Sequence, residues 1–406
     1  MVTEAERTSG ALANLRPDPR GLAIAATAGL ALAYPVCLWM MFRSHDWILG
    51  PGGKPLITDF LVFWLAGQSA LKGAAAAAYI PQSLHAIQVA VTGHAFAGQL
   101  PWRNSPLFFF IATPLALLPY YLAFLVWVAG TVAAYSVVVS RIAASRLALV
   151  VACATPAIFI CSICGQNGPL SAALIGACLL CLERRPLLAG VLIGLLSYKP
   201  QFGLLIPIIL VAGGYWRTLI AAAISCAAFT LISVFVFGAD AFRAFLHYLP
   251  ITSNEILVHG INGFNKIQTM YGLVRWAGFD NNIAWMMQTG LTCILAIALF
   301  WLWRRDVPFA LKAAALSVAT LLATPHLFMY DFPLVAVAFA FLYRQRAFDT
   351  IEFIGVGVAN LCMGVFLFVP TPIGMISLFI TLALIVRRIF QHEPALSAYF
   401  LTPQAA

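Results

Sequence analysis

Apolar runs separated by short polar turns occupy most of the chain, and twelve of them approach the length of a membrane-crossing helix, about 20 residues. The first run is long enough to be a retained span, because a signal peptide would have a shorter apolar core beside a cleavage site. The pattern predicts an all-α polytopic membrane protein with about twelve transmembrane helices and both termini inside. The predicted spans lie near 21–43, 120–140, 147–163, 168–182, 186–198, 201–213, 217–237, 283–303, 308–324, 332–343, 351–369 and 373–387.

Composition agrees with this class. Of the 406 residues, 62% are hydrophobic and 9% are charged, whereas soluble domains have about 25% charged residues. The net charge of +9 does not indicate a nucleic-acid partner, because the charges lie in short clusters between apolar runs. We expect a disordered cytoplasmic tail at 1–20, one membrane domain at 21–390 and a cytoplasmic tail at 391–406.

Basic residues orient the spans, since lysine and arginine are enriched in cytoplasmic loops. With both termini inside, fifteen basic residues lie on the inner face and eight on the outer face, which supports this orientation. We expect a multi-pass protein of the inner (plasma) membrane whose active site faces the periplasm or the outside. The inner residues are Arg7, Arg16, Arg20, Arg141, Arg146, Arg184, Arg185, Arg217, Arg304, Arg305, Lys312, Arg344, Arg346, Arg387 and Arg388. The outer residues are Arg43, Lys54, Lys72, Arg103, Lys199, Arg243, Lys266 and Arg275.

Two large outer loops are predicted, at 44–104 and 238–282. The first contains interfacial helices at Thr58–Lys72 and Pro81–Ala97, and the second contains one at Asn265–Ala277. No soluble domain and no tandem repeat is evident.

Two apolar segments are interrupted by proline. Ser105–Pro119 is too short for a full span, so we interpret it as a re-entrant or interfacial segment. The short spans at 186–198 and 201–213 meet at Lys199-Pro200. Broken helices of this kind are tolerated at membrane depth where they line a cavity.

Acidic groups beside apolar helices are the strongest functional candidates, because ionisable groups at membrane depth are costly. Among the six outer acids, Asp59 and Asp331 adjoin apolar helices. The others, Asp46, Asp240, Glu255 and Asp280, lie at a membrane edge or in polar loops and turns. Thr58 is expected to cap the helix that follows, which places Asp59 in its first turn, where the helix dipole favours the ionised carboxylate.

Cationic and polar groups are predicted on the same outer face, around a cavity open to the outside. They are Arg103, Gln166, Asn167, Lys199, Arg275, His326 and Tyr330. Arginine, lysine and histidine suit a phosphate or diphosphate at the membrane edge. Simpler roles remain open: Lys199 or Arg275 snorkelling to lipid headgroups, and His326 capping a helix.

The nine cysteines all lie inside apolar runs. Cys161-x-x-Cys164 and Cys178-x-x-Cys181 have the spacing of a zinc ribbon. Their surroundings are lipid-like, so we interpret these cysteines as small packing residues in transmembrane helices, with no metal site.

The order of motifs resembles glycosyltransferase family 87, the alpha-mannosyltransferase-like members of the C-type membrane glycosyltransferases. The motifs are TDFLVFWLAGQSALKG with a later tyrosine (Tyr79), NSPLFFFIATPLALLP, GQNGPL, AGVLIGLLSYKPQ, MYGLVRWAG and ATPHLFMYD. The resemblance covers roughly residues 21–345.

This resemblance implies a C-type architecture and transfer of a sugar from a polyprenyl-phosphate donor to an acceptor hydroxyl on the outer face. It further implies inversion at the anomeric carbon, Asp59 as the general base, and no cofactor or essential divalent metal. The sugar is a hexose or pentose, with mannose as the first expectation and arabinofuranose and glucose left open. The acceptor is expected to be an envelope glycolipid or glycan.

Two other functions remain open. A transporter or flippase would use the same polar groups as a substrate path, although paired repeats and polar groups on both sides of the midplane would then be expected. The third hypothesis is a non-catalytic member of the family, which has kept the fold and serves as a scaffold in envelope assembly.

Overall fold

A computed structural model describes residues 19–96 and 100–392. The predicted tails, 1–20 and 391–406, lie almost entirely outside the described residues, and their four described positions are helical. The described residues are 76% helix and contain no strand. The predicted all-α class is therefore confirmed.

Eighteen α-helices are present in the described part of the chain, joined by short 3-10 segments. They are α1 (Pro19–Arg43), α2 (Asp59–Leu71), α3 (Pro81–Thr92), α4 (Phe109–Leu115), α5 (Tyr120–Ala143), α6 (Leu147–Cys153), α7 (Pro156–Cys164), α8 (Gly168–Cys181), α9 (Pro186–Leu196), α10 (Ile206–Ala212), α11 (Trp216–Phe237), α12 (Ala239–Leu257), α13 (Met270–Trp276), α14 (Asn281–Trp303), α15 (Phe309–Ala323), α16 (Pro333–Gln345), α17 (Thr350–Val365) and α18 (Gly374–His392).

The predicted count of twelve membrane spans is not confirmed. Helices occur at all twelve predicted positions, but among the described residues five are long and apolar enough to cross a membrane: those within α1, α5, α11, α14 and α18. A sixth span results if α6 and α7, which bend by 57° at the break before Pro156, cross together. The other predicted spans are helices of 7–16 residues, which reach about 24 Å at most against a hydrocarbon core of about 30 Å.

Burial separates central helices from lipid-facing ones. Along α15 the eleven consecutive residues 313–323 are buried, and α16 is buried on nearly every side. A helix that is apolar all round belongs inside a protein or a membrane. In contrast, α11 exposes Ile220, Ile224 and Phe235, and α17 exposes Ile351 and Leu361. These exposed apolar faces are those of a membrane protein.

The first predicted outer loop contains α2 and α3, and α2 packs against the interrupted segment that follows the loop. Helices α2 and α4 lie so close that a side chain at Gly67 would strike the Ala112 backbone. The interrupted segment Ser105–Pro119 forms a 3-10 turn, Pro106–Phe108, followed by α4. These ten helical residues reach about 15 Å, half of a bilayer core.

The second predicted outer loop contains a helix that sequence patterning missed. Helix α12 covers 19 residues and includes Glu255, which was expected in a polar loop. Asp240 and Asp280 are exposed, as their turn-like contexts predicted: Asp240 pairs with Arg243, and Asp280 caps α14.

The ends of the bundle differ in their charged groups. Lys199 follows α9 and Asp331 precedes α16, and we call this end the site end. At the opposite far end, Arg388 of α18 makes a two-pronged contact with the buried Glu352 of α17, at 2.6 and 2.7 Å. Arg388 also donates to the Leu342 carbonyl of α16. This ion pair ties three helices together at the far end.

Candidate functional site

The N-terminus of α2 presents Asp59. Thr58 caps the helix as predicted, its hydroxyl accepting from the Leu61 amide at 3.3 Å. The same hydroxyl lies 2.8 Å from the Tyr120 hydroxyl of α5. Phe60 is fully buried and packs edge-on against Phe124, with ring centroids 5.1 Å apart. Asp59 therefore starts a helix whose first turn is anchored to α5.

The turn between α7 and α8 brings amide side chains to this carboxylate. Gly165 has φ +69°, and an added Cβ would lie 2.5 Å from the Phe60 Cβ. At Gly168 an added Cβ would lie 1.7 Å from the Tyr330 carbonyl oxygen. Only glycine fits at these two positions. The glycines let the turn enter between α2 and the segment that contains Tyr330, and they place Gln166 beside Asp59.

Asp59 is a residue of intermediate exposure that lies next to the fully buried Phe60. Burial raises its pKa above the ordinary value, and this is the largest influence. Four neighbouring groups lower the pKa of Asp59 by favouring its charged form: the Gln166 amide, Arg103, Lys199 and Lys266. The Gln166 carbonyl accepts from the Asn167 amide at 3.2 Å, which leaves its NH2 group as the donor toward Asp59. A carboxylate with a raised pKa is a stronger base than an ordinary aspartate.

The second candidate acid, Asp331, is already paired. Its Oδ1 lies 2.5 Å from the Lys199 Nζ, and the two side chains are 4% and 11% exposed. Its Oδ2 accepts from the Phe328 amide at 3.3 Å. By contrast, Asp59 makes no salt bridge within the described part of the chain. The two acids therefore differ in kind, since the charge of Asp331 is used in holding Lys199.

Arg103 and His326 are in direct contact. The Arg103 guanidinium lies 2.9 Å from the His326 Nε2. Because arginine has no acceptor atom, Nε2 must be the acceptor and the ring proton must be on Nδ1. Burial lowers the pKa of His326, and Arg103 and Lys199 lower it further. His326 is thus a neutral imidazole that can donate one hydrogen bond from Nδ1.

Tyr330 and two asparagines complete the cluster. Burial and then the nearby Asp59 raise the pKa of Tyr330 well above its usual range, so its hydroxyl stays protonated. The Asn167 Nδ2 donates to the Asn104 Oδ1 at 3.1 Å. The buried Asn167 Oδ1 has no hydrogen-bond partner among the described residues. Donors and acceptors of this mixed kind suit sugar hydroxyls.

Arg275 was predicted to belong to this group, but its contacts lie elsewhere. Its guanidinium donates to the carbonyls of Phe279 and Val258, at 3.0 and 3.1 Å, and lies over the Phe264 ring. These bonds fasten the end of α13 to the turn that follows it and to the end of α12. The cation from the loop between α12 and α13 that lowers the pKa of Asp59 is instead Lys266, two residues beyond Phe264. Sequence reasoning missed it because it resembled an ordinary loop lysine.

The predicted site residues therefore come together in large part. Asp59, Arg103, Gln166, Lys199, His326, Tyr330 and Asp331 form one cluster from five separate segments. Nowhere in the described ranges do three or more His, Cys, Asp or Glu side chains gather as metal ligands do. The Cys161 and Cys164 thiols donate to backbone carbonyls, Cys161 to Tyr330 at 3.0 Å and Cys164 to Ile160 at 2.8 Å.

Comparison with known proteins gives one match. A model of glycosyltransferase family 87 matches residues 102–325, more than half of the chain. The match includes Arg103, Gln166, Asn167 and Lys199, whereas Asp59 precedes it and His326 follows directly after it. No curated protein and no solved structure matches the chain.

Proposed function

The chain belongs to glycosyltransferase family 87, and on that premise we propose that it transfers a sugar from a polyprenyl-phosphate donor to an acceptor hydroxyl, with inversion. The sugar is a hexose or pentose, with mannose in first place. The acceptor is an envelope glycolipid or glycan on the outer face of the plasma membrane. Asp59 is the general base.

The observation that carries this proposal is the contrast between the two acids. Asp59 is free of salt bridges in the described structure and has a raised pKa, whereas Asp331 is bound to Lys199. An inverting transfer needs one carboxylate to accept a proton from the acceptor. It does not need the pair of carboxylic groups that a glycoside hydrolase uses. One free base beside several cations fits the transfer reaction.

The proposed step balances as a single displacement. The acceptor oxygen forms a bond to the anomeric carbon while its proton passes to the Asp59 carboxylate. The bond between the anomeric carbon and the phosphate oxygen breaks, and the lipid phosphate leaves with the electron pair. Arg103, Lys199 and Lys266 supply positive charge for the phosphate, and preorganised charges of this kind stabilise a leaving group. His326 adds a neutral donor.

Transport is the alternative. A substrate path would require polar groups that continue through the centre of the bundle. Beyond the site end, the interior along α16 instead consists of buried apolar side chains, including Leu334, Val335 and Val337. The polar cluster of the described structure lies at one end of the bundle, which favours an enzyme over a transporter or flippase.

Mass spectrometry of envelope glycolipids and glycans from a deletion strain tests the proposal. We expect loss of one glycosylated species and accumulation of the form that lacks one sugar. The mass difference and fragmentation identify the sugar and the acceptor together. An unchanged profile combined with accumulation of a lipid-linked intermediate on the wrong side of the membrane would support transport instead.

A further inference from the structure

A basic recess lies at the far end of the molecule. It is an open recess of about 660 Å³ between the beginnings of α9 and α11, lined by Arg185, Pro186, Leu187, Leu188 and Arg217. Helix α9 separates it from Lys199 of the candidate site, and eleven helical residues span about 16 Å. The recess is therefore distinct from the cluster around Asp59.

The recess exists because two helices run in parallel at very close range. An added Cβ at Gly190 would lie 2.4 Å from Ala221, and one at Gly194 would lie 2.4 Å from Ser225. The second contact lies four residues further along each helix than the first, so the two helices run in the same direction and begin at the same end. Glycine at these positions allows the backbones to approach. The turns before the two helices then stand side by side and place Arg185 next to Arg217.

Both guanidinium groups are available. Arg185 and Arg217 are exposed, and neither side chain makes a hydrogen bond or an ion pair with any described residue. This distinguishes them from Arg346, Arg387 and Arg388, which are neutralised by Asp349 and Glu352. Unpaired arginines that converge on one recess favour an anionic group, and arginine binds phosphate oxygens with two parallel hydrogen bonds.

The walls of the recess are apolar and continue onto the lipid-facing surface. Leu187 is 67% exposed, and Ile220 and Ile224 on the outward face of α11 are 58% and 64% exposed. Trp216, 55% exposed at the rim, is a residue type enriched at the membrane–water interface. The surface thus combines a pair of cationic side chains with a strip of exposed apolar side chains that extends toward the bilayer.

We propose that this recess is a binding site for an anionic phospholipid of the inner leaflet, with Arg185 and Arg217 on its headgroup phosphate and Leu187 and Ile220 along an acyl chain. Basic pockets between membrane helices on the cytoplasmic side bind such headgroups. The lipid fills the space between the beginnings of α9 and α11. This site is independent of the glycosyl transfer proposed above.

Native mass spectrometry of the full-length protein in detergent tests this site by titration with phosphatidylglycerol and, separately, phosphatidylcholine. We expect wild type to prefer phosphatidylglycerol. R185Q/R217Q should bind it about 30-fold more weakly, since each arginine near a membrane surface contributes about fivefold. The matched control R141Q/R146Q removes two exposed arginines from the same predicted face outside the recess and should retain wild-type binding.

Equal loss in both double variants, or equal binding of the two lipids, would overturn the proposal. Complete displacement of the lipid by excess inorganic phosphate would also overturn it, because the occupant would then be a free anion. If R185Q/R217Q fails to fold, the wild-type protein is photocrosslinked instead with a phosphatidylglycerol that carries a photoreactive acyl chain. Crosslinks at 186–188 or 216–224 support the site, and crosslinks confined to other helices refute it.

Discussion

Gly168→Ala tests whether the turn between α7 and α8 is part of the candidate site. A Cβ at this position would lie 1.7 Å from the Tyr330 carbonyl oxygen, whereas an ordinary contact begins at 3.4 Å. The turn and the Tyr330 segment must therefore separate by well over 1 Å. Overpacking of this kind costs about 1–3 kcal/mol of stability.

The functional effect should be larger than the loss of stability. Gln166, which stands beside Asp59, lies two residues before Gly168, and Asp331 directly follows Tyr330. A misplacement of about 1 Å among reacting groups lowers the rate about 100-fold. We therefore expect kcat/KM for sugar transfer to fall about 100-fold, with only a modest fall in the melting temperature of the detergent-purified protein.

Gly290→Ala is the matched control. Gly290 lies inside α14, and an added Cβ there would meet nothing within 4 Å. Alanine in a helix interior is favoured over glycine by about 1 kcal/mol, so this variant should keep full activity and be slightly more stable. If Gly168→Ala transfers sugar as fast as Gly290→Ala, the turn does not position the site and the reasoning is refuted.

Three further predictions concern the charged groups. Lys199→Ala should raise the donor KM about tenfold and the acceptor KM much less, because a phosphate cation is lost; equal effects on both would argue against a phosphate role. His326→Phe should likewise weaken donor binding. In wild type the donor KM should stay level across the ordinary histidine range near pH 6.5, because burial lowers the pKa of His326 and keeps the ring neutral. A donor KM that rises steeply above pH 6.5 would mean a cationic His326. At the far end, Glu352→Gln should destabilise the protein by about 3–5 kcal/mol, since it leaves Arg388 buried without its partner, and thermal unfolding that matches wild type would contradict this.

Short sequence patterns predicted the helix cap before Asp59 and the polar turn beside it. Thr58 has the side chain and position of a helix cap, and the cap is present. The polar residues of the GQNG turn stood out because the flanking runs are apolar, and Gln166 does lie beside Asp59. Helix class and position followed from apolar patterning in the same way, because a long apolar run has few other structures available to it.

Tertiary pairing was not predictable from such signals. Nothing near Lys199 in the sequence indicates that it forms an ion pair with Asp331, 132 residues later. The predicted count of twelve spans is not confirmed, because short apolar runs such as α15 and α16 are buried by protein on nearly all sides. Helix α12 was missed because its polar residues and internal Pro250 resemble a loop.

The most direct test of the central claim is the single-turnover rate of Asp59→Asn across pH, measured with the acceptor identified from the deletion strain. Wild-type transfer should rise with pH through the Asp59 pKa, which burial places above that of an ordinary carboxyl. Loss of a general base lowers the rate about 10²- to 10⁴-fold, and the variant should lose this pH dependence.

The same raised pKa predicts the stability of this variant. Because the folded state favours the neutral carboxyl, ionisation of Asp59 at neutral pH lowers stability, and stability falls as pH rises from the unfolded pKa to the folded pKa. The neutral asparagine should therefore melt no lower than wild type. A well-folded Asp59→Asn protein with negligible transfer is the predicted result, and one that turns over at a near-normal rate with an unchanged pH profile would contradict Asp59 as the base.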